Sequence, residues 1–258
     1  MSDKPNEVTA EITINADADT VWRALAEGEQ IKQWFTLDAR VTPGPGGSVW
    51  MSFGEGMEWE TPIEIWEPGR HMRTADPAPV NLAVDYFIEA RGGETVLRLV
   101  HSGFGADAWE DELETLDGGW RAFLAALKNY LEHHRGESRT VAYFRHPVVV
   151  LPRPDAFARV LNAFGFDPRA VLHSGDPYDV TTKLGDRLQG TIDVVKHGVN
   201  LSGRVENWDN GFLMIEIEPG RGQCRPSAWF SLYGANGSKA PALQARLTEL
   251  LTGAFAGM

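Results

Sequence analysis

The sequence predicts an α+β protein in which a curved antiparallel sheet wraps a long helix, an arrangement expected twice, over residues 1–137 and 138–258. Three observations predict it. Period-two alternation recurs from residue 8 to residue 101, the mark of strands with one buried face. A single apolar stripe at three- and four-residue steps then runs from Leu113 to Leu131. After residue 138 the same order returns, strand, helix, strands and closing helix, without any identical motif.

Val8, Ala10, Ile12 and Ile14 alternate with Glu7, Thr9, Glu11 and Thr13 as a first strand. Asp17 or Asp19 can then cap a helix that buries Val21, Trp22 and Leu25 and ends near Gly28. Ile31, Trp34 and Phe35 share one side of a second short helix. Leu37, Ala39 and Val41 lead into a Pro43-Gly44-Pro45-Gly46-Gly47 turn, and Val49, Met51 and Phe53 come after it. A phosphate loop would open a helix, whereas the residues after these glycines alternate like a strand.

Trp59, Thr61, Ile63 and Ile65 face inward against Glu58, Glu60 and Glu64; Pro68-Gly69 ends that strand, and residues 71–74 form a short one. Leu82, Val84, Tyr86 and Ile88 alternate up to an Arg91-Gly92-Gly93-Glu94 hairpin, from which Thr95, Leu97, Leu99 and His101 return. Residues 108–134 are helical, with Leu113, Leu116, Trp120, Phe123, Leu124, Leu127 and Leu131 on one stripe. Acidic residues start this helix and Lys128, His133, His134 and Arg135 end it, as the helix dipole favours. Gly118-Gly119 costs roughly 1 kcal/mol per glycine relative to alanine, which points to a kink or a close approach to the sheet.

The polar stretch 135–139 separates the halves. In the second, 141–150 reads as a strand and Phe157, Val160, Leu161 and Phe164 as a helix. Strands come next near Val180 and Ile192 and over 199–205, 213–217 and 228–232, and a last helix carries Leu243, Leu247, Leu250, Leu251 and Ala254. This copy is shorter than the first by about one strand.

At 258 residues and 43% hydrophobic composition the chain can bury two cores. Its apolar runs, such as 148–151, fall far short of the roughly 20 residues of a membrane span, and the first residues lack the pattern of a secretory signal. The expectation is a cytoplasmic protein without a membrane span. The one cysteine, Cys224, reads as an incidental thiol in a loop over 222–225, and its lack of a disulfide partner fits a reducing compartment. A net charge of -12 offers no basic surface to nucleic acid. Residues 1–137 hold 11 Lys/Arg against 25 Asp/Glu and residues 138–258 hold 13 against 11, balances of -14 and +2. The acidic excess therefore lies in the first half, where it could meet a basic protein partner.

Six separated blocks in the first half carry a resemblance. They are Val21-Trp22-Arg23-Ala24-Leu25, Ile31-Lys32-Gln33-Trp34-Phe35, Gly46-Gly47-Ser48, residues 63–70 (Ile63 to Arg70), residues 95–104 (Thr95 to Phe104), and Gly119-Trp120 with residues 127–131. Residues 8–135 resemble the domain named for activators of the heat-shock-protein-90 ATPase, within the START and polyketide-cyclase superfamily. That resemblance implies the helix-grip fold and a cavity between sheet and long helix, and leaves function open. In 138–258 it is fainter: Trp229-Phe230-Ser231-Leu232-Tyr233-Gly234 looks like the strand-to-helix passage of a degenerate second copy, and the block around Trp34-Phe35 has no second copy.

No Gly-x-Ser-x-Gly elbow, His-Glu-x-x-His, Walker loop or paired Cys-x-x-Cys occurs. His133 and His134 are neighbours on a helix and point apart, and the acids between 110 and 117 suit a solvated helix start. No catalytic residue, metal or cofactor is therefore expected. The candidate ligand-binding residues are Trp34, Phe53, Trp59, Tyr86, Trp120, Phe123 and Leu127 as an apolar lining, with His101 as a polar handle. They predict a binder of an apolar or aromatic, lipid-like small molecule. The alternatives are a stress-related, co-chaperone-like interaction protein and a cyclase- or hydrolase-type enzyme using the same cavity; whether the second half holds a pocket is left open.

Overall fold

The structure, a computed structural model, describes residues 7–105 and 110–257. The chain forms two compact units, Met1–Arg135 and Gly136–Met258, so the division falls just before the expected boundary at 137.

The first unit runs β1 (Glu7–Ile14), α1 (Ala18–Ala26), α2 (Gly28–Ile31), β2 (Asp38–Thr42), β3 (Ser48–Ser52), β4 (Glu58–Glu67), β5 (His71–Ala75), β6 (Ala83–Arg91), β7 (Glu94–Ser102) and α3 (Glu110–His133). Its strands make one antiparallel sheet in the order β1-β7-β6-β5-β4-β3-β2, so the first strand pairs with the last and the meander lies on one side of that pair. Asp17, and not Asp19, caps α1: its carboxylate accepts the Thr20 amide at 2.7 Å and hydroxyl at 2.9 Å, which holds its pKa below the ordinary value. The Trp34 indole N–H donates to the Ala24 carbonyl at 2.9 Å and ties the chain after α2 to α1.

The Arg91–Glu94 pair closes a two-residue turn with Gly92 at φ 60° and Gly93 at φ 102°, a backbone that favours glycine at both places. Helix α3 is continuous through Gly118 and Gly119, both buried. It lies along β1, where Arg121 donates to the Thr9 carbonyl at 3.3 Å and Lys128 to the Thr13 carbonyl at 2.8 Å. The expected start of this helix at 108 and 109 lies outside the described residues.

The second unit runs β8 (Arg139–Arg145), α4 (Arg153–Ala163), β9 (Pro177–Thr181), β10 (Arg187–Lys196), β11 (Asn200–Val205), β12 (Gly211–Gly220), β13 (Gln223–Tyr233) and α5 (Ala240–Ala254). Among the described residues it has six strands to the first unit's seven, ordered β8-β13-β12-β11-β10-β9 and all antiparallel. Phe157, Val160 and Leu161 of α4 and Leu243, Leu247 and Leu251 of α5 share one core with Leu213, Ile215, Ala228 and Phe230. Each unit is thus an antiparallel sheet closed by a carboxy-terminal helix, the helix-grip order in tandem.

Two local expectations fail. The strand expected over 141–150 stops at Arg145, because Pro147 has no N–H to continue the ladder; beyond it only Val149 bridges to Cys224. Cys224 is consequently not in a loop. The turn is confined to residues before Gln223, and the buried thiol donates to the Leu151 carbonyl at 3.4 Å, its pKa pushed up by burial. No described helix is long and apolar enough to cross a membrane.

Candidate functional site

In the first unit, α2's exit, the β3–β4 turn, β6, β7 and α3 bring the candidate aromatic residues into one network. Its centre is Phe35. Trp34 stacks on it at 5.1 Å, Phe53 and Phe123 meet it edge-on at 5.4 and 4.6 Å, and Trp120 lies tilted at 5.5 Å. Trp59 stacks on Phe53 at 5.6 Å, and Tyr86 and His101 approach Trp120 at 6.4 and 5.9 Å. Leu127, one helical turn beyond Phe123, is fully buried.

Phe35 was not among the candidates. Its signal was present in the stripe of Ile31, Trp34 and Phe35, but two adjacent aromatics after a short helix do not reveal which one becomes the hub.

Burial grades across the network. Trp34, Tyr86, Trp120 and Leu127 are buried, Phe53, Phe123 and His101 are partly exposed, and Trp59 is 39% exposed. The alternation of β4 placed Trp59 on the inner face, yet it is the second residue of that strand, and among the described residues Phe53 is the one ring stacked on it. It stands at the open end of the network, with Leu37 also 41% exposed.

The polar chemistry gathers around Trp120. An indole N–H can only donate, and it donates to Nδ1 of His101 at 3.0 Å. Nδ1 must therefore carry a lone pair, so a neutral His101 holds its proton on Nε2. Burial enforces that neutrality by pushing the pKa down to about 4. Phe104 covers the ring on one side at 4.7 Å. Tyr86 and His101 share one face, since Tyr86 pairs with Leu99 and Val84 with His101. The Tyr86 hydroxyl has no hydrogen-bond partner among the described residues, and burial raises its pKa above the ordinary value. The site can thus offer two neutral donors beside a wall of rings.

Among the described residues, no group of three or more His, Cys, Asp or Glu is placed to hold a metal ion. On the opposite face of the sheet Asp85 is buried but satisfied, bonded to His71 Nε2 at 2.8 Å and Arg73 Nη1 at 2.5 Å.

The model of the activator of Hsp90 ATPase homolog 1-like protein family matches residues 15–132. The first unit is a domain of this family. The matched span runs from the end of β1 almost to the end of α3 and contains every residue of the aromatic network. No curated protein matches the chain. Solved structures similar to it include the Aha1 dimer from Colwellia psychrerythraea, at 19% identity over 50% of this chain and 98% of that one, with a TM-score of 0.46. DynU16, described as a putative protein of the dynemicin biosynthetic locus, is 19% identical over 98% of this chain and 97% of its own, with a TM-score of 0.44. The di-domain ARO/CYC BexL of the BE-7585A pathway is 16% identical over 98% and 99%, with a TM-score of 0.43.

Proposed function

We propose that the first unit binds an apolar or aromatic small molecule that carries a hydrogen-bond acceptor. One observation supports this reading above the others: the Trp120 N–H occupies Nδ1 of His101, leaving Nε2–H as the group available to a ligand. The Tyr86 hydroxyl, without a described partner, lies on the same face and is a second donor. A ligand carbonyl or ether oxygen that reaches either donor gains a hydrogen bond of fixed direction. The partly exposed Trp59, Phe53 and Phe123 supply non-directional apolar contact and a route inward.

The test uses the full chain with 2-acetylnaphthalene and naphthalene, which differ by one carbonyl acceptor. Saturable binding, tighter for 2-acetylnaphthalene, with the preference lost in His101→Leu, is expected. Absence of saturable binding of either compound would sink the proposal.

A protein-docking role is the second reading, favoured by the -14 balance of residues 1–137. A salt-sensitive complex with the cell's Hsp90-type chaperone, recovered without any small-molecule binding, would favour it over the first.

A further inference from the structure

Trp120 does more in the first unit than add a ring to the apolar wall. Its indole N–H is a donor and never an acceptor, and it meets Nδ1 of His101 at 3.0 Å. Packed rings hold the buried indole at that bond: Phe35 at 5.5 Å, Tyr86 at 6.4 Å and Phe123 at 6.5 Å.

Every other state of His101 loses the bond. A proton on Nδ1 would set two N–H donors head to head across 3.0 Å. A half-turn of the imidazole would put one of its C–H groups against the indole N–H. A charged ring carries protons on both nitrogens, and burial opposes that charge. What remains is the neutral ring with its lone pair on Nδ1 and its proton on Nε2.

This tautomer limits the chemistry of the site. Nε2 donates to a ligand but neither accepts a hydrogen bond nor takes up a proton, so His101 is not a general base in this form. The Tyr86 hydroxyl has no such restriction, because a rotating O–H both donates and accepts. Discrimination between acceptor and donor ligands therefore sits at His101, on β7, and is imposed from α3 by Trp120.

We propose that Trp120 is a positioning residue which, by holding His101 in the tautomer that donates from Nε2, restricts the first unit's site to aromatic carbonyl compounds and bars N–H donors of the same outline. The proposal rests on the ligand reading of this site. It adds which ligands are refused and which residue refuses them.

The test uses the full chain, wild type and Trp120→Phe, with three bicyclic probes of one outline: 1-indanone with a carbonyl, indole with an N–H, and indene with neither. Wild type is expected to bind 1-indanone about threefold to tenfold more tightly than indole, the range of one net hydrogen bond. Phenylalanine keeps a ring at this place but has no N–H, so both neutral tautomers become available and the preference should shrink to near parity. Indene reports any change in the apolar wall, which is divided out. In a His101→Leu background the same substitution should leave the ratio of 1-indanone to indole unchanged, as a merely structural role would not. NMR of isotope-labelled histidine nitrogens in wild type reads the tautomer directly and keeps the test decisive even if Trp120→Phe does not fold: Nδ1 is expected unprotonated and Nε2 protonated at neutral pH. Equal binding of indole and 1-indanone by wild type, a preference that survives in Trp120→Phe, or a proton on Nδ1 each overturns the proposal and leaves the ligand reading standing. Absence of saturable binding of all three probes overturns both.

Discussion

Trp120 donates its indole proton to Nδ1 of His101 over 3.0 Å, across the seam between α3 and β7. A hydrogen bond to a neutral imidazole's lone pair opposes protonation, and burial, which lowers the His101 pKa to about 4, acts in the same direction. Above the ordinary value of 6.5 neither folded nor unfolded His101 is charged, so the group is neutral to stability there. As pH falls from 6.5 the unfolded chain takes up a proton that the folded one refuses until about 4, and stability declines across that window by roughly 1–3 kcal/mol after allowance for partial exposure. In Trp120→Phe the acceptor is freed, and the His101 midpoint followed by NMR should move up towards 6.5. A wild-type midpoint already at that ordinary value would contradict the assignment.

Phe35 is buried, whereas Trp59 is 39% exposed. Phe35→Ala removes the ring on which Trp34, Phe53, Trp120 and Phe123 converge, and its expected cost in urea unfolding is about 3–5 kcal/mol. Trp59→Ala removes a ring that is 39% exposed and stacked on Phe53, with an expected cost below about 1.5 kcal/mol. Ligand binding should respond in the reverse order of folding: Trp59→Ala loses affinity while the fold persists. Equal destabilisation by the two would mean that Phe35 is not the hub.

The sheet was legible because its strands alternate cleanly, and the closing helices because their stripes are long. The Asp17 cap was legible only as one of two acids, since Asp17 and Asp19 differ in which one reaches the Thr20 amide, a matter of backbone geometry. Cys224 was misplaced for a related reason: the turn at residue 222 has glycine at φ 69° and so can end abruptly, letting β13 begin at once. In the site, the inward phase of Tyr86, His101 and Trp120 was readable from period. Their mutual chemistry was not, because the Trp120–His101 bond joins residues on different elements.

Gly103 comes directly after β7, two residues past His101, with φ +92°, and a Cβ there would meet the Asn81 carbonyl oxygen at 2.1 Å. Gly44 has a similar φ of +95° and open space around it. Alanine at Gly44 should cost only the backbone strain, on the order of 1 kcal/mol, whereas alanine at Gly103 adds a clash with main chain and should cost at least about 2 kcal/mol. Paired urea melts isolate the difference. His101 resonances should shift in Gly103→Ala alone, since that strand end must move, and identical melts would argue against the close approach.

Glu216 on β12 reverses the sign of the His101 case. Burial raises its pKa from 4.5 to about 7, and the neighbouring charge of Glu218 raises it further against the opposing pull of Arg153 and Arg145. Below 4.5 the carboxyl is neutral in both states and carries no penalty. As pH rises, the unfolded chain ionises first, while the folded one retains its proton until about 7; stability therefore falls across this window and the loss is complete above it. The residue keeps some exposure, so the expected loss is about 1–3 kcal/mol. Glu216→Gln fixes the uncharged form with nearly the same shape. In urea unfolding it should match wild type near pH 4.5 and exceed it by that amount at about pH 8, above the folded-state midpoint. A difference that does not vary with pH would show that Glu216 ionises normally in the folded chain.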